Sequence, residues 1–181
     1  MRRKKRQMSI QDLEKALKSR DSDERCFAFL DYSAQRPTKD AVSVLRRALR
    51  SKDPTVVRSA AVSLGKLGRD ALPAVGDLFI AAKTADESGM PQSYPDCVRA
   101  LAAIQQDHDE DDLLDLISHW SGVTNWGIVS AGMSALQKLG TPKAISLLRR
   151  IHTFWNNDLN KTQKKQADKI LADAVTSHRS T

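Results

Sequence analysis

Arginine supplies most of the side chains here whose type and spacing could do chemistry. At 100° per residue on a helix, Ala41, Leu45, Ala48 and Leu49 span one arc, and Arg46, Arg47 and Arg50 share the arc on the far side. They are expected to project to solvent together, with Lys52 just past the helix end and Arg149 and Arg150 at matching sites 103 positions on. Clustered basic side chains are the footprint of phosphate-backbone binding, so these six are the candidate anion- or partner-binding residues. The competing explanation is that basic side chains suit the C-terminal half of any helix through its macrodipole. No aromatic residue interleaves them, so base stacking is not indicated.

A second set, Arg25, Arg58 and Arg99, recurs at spacings of 33 and 41 residues. These three could line a groove for an anion. Positions that repeat in a stacked array are usually interface positions, and pairing with a carboxylate of the same or the next unit is the favoured expectation. A third group is the N-terminal tail Arg2, Arg3, Lys4, Lys5 and Arg6. The chain carries +7 overall, but without these five charges 24 basic residues face 22 acidic ones and the balance is +2. Such a tail can hold nucleic acid, an anionic membrane surface or an acidic protein by charge alone, or be a solvated terminus.

The other candidates read as structural. Asp107 to Asp112, with His108 among five acidic residues, could attract a divalent cation. Contiguous side chains on a helix do not converge, however, and acidic residues are what a helix N-terminus favours. His119, His152 and His178 have no nucleophile or carboxylate at a useful spacing, and no phosphate loop, CxxC pair or HExxH occurs. Trp120, Trp126 and Trp155 each fall in line with an apolar stripe, which places all three on a buried face. Cys26 and Cys97 are too few for a disulfide scaffold or a zinc site and read as reduced, packed thiols. No catalytic residue, metal ligand or cofactor is assigned.

The elements that must position these groups are helices. Aromatics make up only 5% of the 181 residues, and β-branched residues are few beside Ala, Leu, Lys and Arg. Apolar residues recur at three-and-four spacing along nearly the whole chain: Ile10, Leu13 and Leu17; Phe27, Leu30 and Ala34; Val57, Ala60, Ala61 and Leu64; Leu72, Val75, Leu78 and Phe79; Val98 and Leu101; Leu136 and Leu139. Asp53-Pro54 and Thr141-Pro142 are helix starts, and Gly68 and Gly140 are helix stops. Thr84 to Tyr94, with Gly89 and Pro91, is the one composition shift and reads as a loop. The pattern predicts about ten helices of about 10–17 residues and no strand. No apolar run approaches the roughly 20 residues a membrane span requires. No apolar segment follows the basic N-terminus to make it a signal peptide, so a cytoplasmic location is expected.

Internal repetition is the strongest pattern in the sequence. Ala41 to Arg47 matches Ala144 to Arg150 within conservative exchange, and Leu64-Gly65-Lys66-Leu67-Gly68 matches Leu136-Gln137-Lys138-Leu139-Gly140 at an offset of 72. A pair of helices of about 35 residues, repeated about five times, must stack on its neighbours to bury its apolar face. The segment Ser51 to Gly68, with Asp53-Pro54, Arg58 and its Leu-Gly end, resembles the second helix of a HEAT repeat, in particular the HEAT-like type of phycobilisome lyases. Other copies depart from it: Asp21 and Arg25 lack the proline, and Asp96 and Arg99 follow the insertion.

The resemblance implies an all-α fold, an α-solenoid of about five HEAT-like helical pairs, in which the Asp and Arg pair along the array. It implies a shape rather than a reaction. The reading is a basic tail over 1–8, a solenoid over 9–176 with an insertion loop at 84–95, and a C-terminal tail over 177–181. The expected function is a non-catalytic scaffold or adaptor that binds a protein partner. The alternative is nucleic-acid binding through the tail and the Arg46 group, with HEAT-like alkylpurine DNA glycosylases as its enzymatic form. A chaperone-like subunit acting on a bilin with a partner is a third reading. Deleting residues 1–7 is expected to leave the melting temperature nearly unchanged, because the tail has no apolar surface to bury. Circular dichroism melts of the full and shortened chains check this.

Overall fold

The computed structural model describes residues 8–85, 91–104, 110–122 and 125–179. Ten α-helices are found among them: α1 (Ile10–Lys18), α2 (Ser22–Ser33), α3 (Val42–Ala48), α4 (Pro54–Leu67), α5 (Val75–Lys83), α6 (Tyr94–Ile104), α7 (Glu110–Trp120), α8 (Trp126–Leu139), α9 (Pro142–Trp155) and α10 (Lys161–Arg179). No strand occurs among the described residues. The helices run from 7 residues in α3 to 19 in α10, a wider spread than the periodicity suggests.

Local chemistry sets the ends. Ser9 caps α1 in a capping box with Asp12: the Ser9 hydroxyl accepts from the Asp12 N–H, and the Asp12 carboxylate accepts from the Ser9 N–H. Thr141 accepts from the Ala144 N–H ahead of Pro142, the first residue of α9. Gly140 ends α8 at φ 64°, a left-handed conformation that glycine adopts without the clash a Cβ would bring.

The helices form two rows. The even-numbered helices α2, α4, α6, α8 and α10 pack in succession, and each is also flanked by its odd-numbered partner. This arrangement makes five pairs, α1–α2 to α9–α10, and the chain is an all-α solenoid. The even row carries the burden of the core. In α4, Val56, Val57, Ala60, Ala61 and Leu64 are all buried, on several sides of one helix, because α2, α3 and α6 surround it. Close approach needs small residues. A Cβ on Gly65 of α4 would lie 3.1 Å from the Ala100 Cα and 3.3 Å from its Cβ on α6.

Four expectations are corrected. On α2 the buried residues are Ala28, Phe29 and Tyr32, while Phe27 and Leu30 are exposed at 66% and 46%. The apolar residues of α2 lie on more than one side, and the neighbouring α4 selects the Phe29 side. Leu72, expected in a helix stripe, lies in a 3-10 segment (Gly68–Ala74) and is exposed. The insertion is shorter than 84–95: α5 reaches Lys83, Pro91–Ser93 form a 3-10 turn, and α6 starts at Tyr94. Residues 86–90 lie outside the described residues. At the C-terminus, α10 continues to Arg179, past the expected boundary at 176.

The Gly65–Ala100 contact yields a stability prediction. Gly65→Val should destabilise the fold by about 2 kcal/mol, because backbone on α6 rather than a mobile side chain opposes the new atoms. Urea unfolding of the variant reads this directly, and an unchanged midpoint would contradict the packing described.

Candidate functional site

The arginines of the even row form a chain of links from helix to helix. Arg25 on α2 places its Nε 2.6 Å from the Asp53 carboxylate at the start of α4. Arg58 on α4 places its Nε 2.8 Å from the Asp96 carboxylate on α6, and Arg99, also on α6, reaches the other oxygen of Asp96 at 3.1 Å. The pairing expected for Arg25 and Arg58 is therefore with the next unit, whereas Arg99 turns back to its own helix. Asp53 occupies the N-cap of α4 but its side chain makes no cap bond there. It accepts instead from Arg25 and from the Ser22 hydroxyl, both on α2. The hydrogen bond from Arg25, helped by that from Ser22, outweighs partial burial and holds the Asp53 carboxyl below its ordinary value.

The Arg46 group is built on a residue that the sequence reasoning missed. Asp77 on α5 is 7% exposed, and it accepts from Arg46 Nε at 2.6 Å and from Arg50 at 2.8 Å. Burial pushes its pKa up, but the two guanidiniums outweigh burial and leave it below the ordinary value. One signal was available: Asp77 is the sole acidic residue in the apolar segment Val75 to Lys83. Arg47 points the other way and meets Glu14 of α1 at 2.7 Å. The three arginines thus diverge toward two neighbours, though their outer atoms remain in solvent. Lys52, Arg149 and Arg150 are exposed. Arg149 and Arg150 sit on α9, in the fifth pair, while Arg46 sits in the second, so the six candidates do not converge on one site.

Other sequence candidates resolve as follows. The tail residues Arg2 to Arg6 lie outside the described residues, whereas Met8 belongs to the fold and donates its N–H to the Gln35 side chain at 3.1 Å. Of the acidic run, 107–109 lie outside the described residues. Glu110, Asp111 and Asp112 occupy the first turn of α7, where Glu110 accepts from the Thr141 hydroxyl and Asp111 meets Lys143 at 2.9 Å.

The tryptophans divide. Only Trp120 is buried, stacked on Tyr94 with ring centroids 4.5 Å apart. Trp126 and Trp155 are half-buried, which corrects the expectation of three core rings. Their ring N–H groups reach out of the core, Trp126 to the Gln166 side chain at 3.1 Å and Trp155 to the Ser121 carbonyl at 2.7 Å. Cys26 and Cys97 are free thiols, and burial pushes the Cys97 thiol up to about 12, so it stays protonated and unreactive. His152 lies 2.8 Å from the Asp168 carboxylate on α10.

Two rows of stacked helix pairs, with arginines reaching the carboxylates of the next unit, define a helical repeat solenoid. Residues 10–88 match the family model for HEAT repeats. A solved structure of an engineered protein is similar over 92% of this chain and 96% of its own, at 16% identity and a TM-score of 0.40. No curated protein matches the chain.

Asp53 and Asp77 both titrate lower in the folded chain than in the unfolded one. Their contribution to stability is complete above the ordinary aspartate value of 3.8 and is lost as pH falls through their folded values. Asp77→Asn should cost about 1 kcal/mol near neutral pH, kept small by the exposure of its arginines. Its melting temperature should also fall less steeply than that of the parent on acidification below about pH 4. Parallel melting curves across that range would contradict the assignment.

Proposed function

We propose that the chain is a non-catalytic scaffold or adaptor that binds a protein partner through the surface of its helix rows. HEAT repeats mediate protein interactions, which supports the coarse reading. The observation that carries the choice over nucleic acid is the use made of the arginines. Arg46, Arg47, Arg50, Arg58 and Arg99 are each engaged by a carboxylate of the fold, at 2.6 to 3.1 Å. A phosphate would have to compete with those internal carboxylates. Of the remaining candidates among the described residues, Lys52 precedes α4, far along the array from Arg149 and Arg150 on α9. For base excision, the fully buried Trp120 is stacked on Tyr94, and the ring N–H groups of Trp126 and Trp155 are already engaged. No described helix is long and apolar enough to cross a membrane. The free thiols suit a reducing compartment, and a cytoplasmic location is part of this proposal.

Photo-crosslinking from Lys66 and Lys138, exposed on α4 and α8, tests the scaffold reading. A defined protein complex that survives about 0.15 M salt is expected, since its contacts would not depend on released counterions. Duplex DNA should bind only weakly at low salt, in a tail-dependent way, and the chain should release no alkylated base. DNA binding that persists at about 0.15 M salt without residues 1–7, and disappears in Arg149→Ala with Arg150→Ala, would overturn the proposal.

A further inference from the structure

The first inner helices each hand a cation forward to the next. Arg25 stands four residues after Asp21, the N-cap of α2, and Arg58 stands five after Asp53, at the N-cap of α4. Each meets a carboxylate at or near the start of the next inner helix, Asp53 for Arg25 and Asp96 for Arg58. On α8 the residue five after the cap Asn125 is Ser130, whose hydroxyl donates to the Gly127 carbonyl of its own helix. On α10 the cation returns. Asn160 caps that helix, its side-chain oxygen accepting from the Thr162 and Gln163 N–H groups. Lys165, five residues on, therefore takes the angular position on α10 that Arg58 takes on α4. Lys161 and Lys169 lie one turn to either side and complete an exposed row.

This row has no acceptor in the described fold. α10 packs on α8 and α9 and buries Ala167, Ile170 and Ala174. Among the described residues, none of the three lysines is in an ion pair. Neighbouring charges do not cancel them. Asp168 is engaged by His152 and Lys143 by Asp111, and Arg150 lines a groove with Asp115 of α7. The rest of the fifth pair, through Ser177, sets the three lysines, Arg149 and Lys164 against Asp158 and Asp173, five charges against two, a balance of +3.

We propose that this row docks the acidic start of a helix from a protein partner, held toward α10 as the start of α4 is held toward Arg25. The inference rests on the scaffold reading and adds to it a surface and the chemistry of the partner. A carboxylate at a helix start is stabilised by the positive end of its own helix dipole while Lys165 attracts it from outside. Further carboxylates at four-residue spacing match Lys161 and Lys169. Charges arranged in this way set orientation and partner choice more than raw affinity.

Other occupants fit less well. The tail Arg2 to Arg6 has the same sign as the row. A second copy would bring Asp21 and Asp23 of its α2, but would also set its exposed Phe27 and Leu30 against the lysines. A phosphate backbone would meet single ammonium groups rather than guanidinium forks, and three such contacts hold it weakly at about 0.15 M salt. An anionic lipid surface would find no apolar side chain in the row to anchor it.

The test uses the intact chain and fluorescence anisotropy at about 0.05 M salt, where surface charges are less screened. The probe is a labelled alanine-based peptide of about 18 residues, five turns long, with aspartate at its cap and glutamate at four-residue spacing. It should bind, and its asparagine and glutamine counterpart should not. Lys165→Glu should weaken binding at least about tenfold, whereas Lys138→Glu on α8, the same change of net charge elsewhere, should leave it unchanged. Lys161→Glu, Lys165→Glu and Lys169→Glu together should bind a lysine version of the peptide that the parent ignores, a gain that misfolding cannot mimic.

Unchanged affinity of Lys165→Glu, or equal loss in Lys138→Glu, overturns the proposal. So does equal binding of a proline-containing peptide of the same charge, which would reduce the contact to counterion attraction. Loss of binding on deleting residues 1–7 would assign the peptide to the tail, and self-association abolished by Lys165→Glu would assign the row to a second copy. Either overturns the proposal, as does duplex DNA that binds the row more tightly than the peptide. A crosslinked partner that binds the triple variant as well as the parent would remove this row from the scaffold reading and leave that reading standing.

Discussion

The structure depends on how closely α4 can approach α6. A single pair of short helices buries too little apolar surface to be stable, so each pair must lend its inner helix to the next. That helix then has neighbours on three sides and must be small and apolar on most of its circumference. At the Gly65–Ala100 contact the requirement falls on the backbone itself, since an added Cβ would meet the α6 main chain. The polar residues that remain inside are self-sufficient. Ser63 is buried because its hydroxyl donates to the Ser59 carbonyl one turn earlier.

The ion pairs act on this packing as spacers more than as sources of energy. Arg58, Arg46 and Arg50 are exposed enough that water screens most of the attraction, and each pair is worth no more than about 1 kcal/mol. What they fix is position. Asp53 gives up the cap of its own helix to receive Arg25 and Ser22, so the start of α4 is set by α2 rather than by α4 itself. Asp77 does the same for the outer row, joining α3 to α5.

Much of the fold was legible because the signals are local and repeat. Proline starts, glycine stops and the offset of Leu64–Gly68 to Leu136–Gly140 identify helices and units without any knowledge of partners. The phase of α2 was not legible, since Phe27, Phe29, Leu30 and Tyr32 offer alternative apolar sides and α4 makes the selection. The candidate site was legible only as a list of basic residues. Its acceptors lie 31 and 27 residues away at Asp77, in a segment whose periodicity reports burial and says nothing about charge. Half-buried Trp126 and Trp155 show the same limit: a stripe gives direction, while depth depends on what lies above it.

The links between successive inner helices change in kind along the chain. Arg25–Asp53 joins α2 to α4 and Arg58–Asp96 joins α4 to α6. Among the described residues no ion pair joins α6 to α8, and α8 meets α10 through the uncharged Trp126–Gln166 bond. Raising ionic strength weakens the attraction in the links among the first three inner helices, most of all in the more exposed Arg58–Asp96 pair, and leaves the uncharged link from α8 to α10 unaffected. Sensitivity to salt is therefore concentrated in the N-terminal links of the inner row.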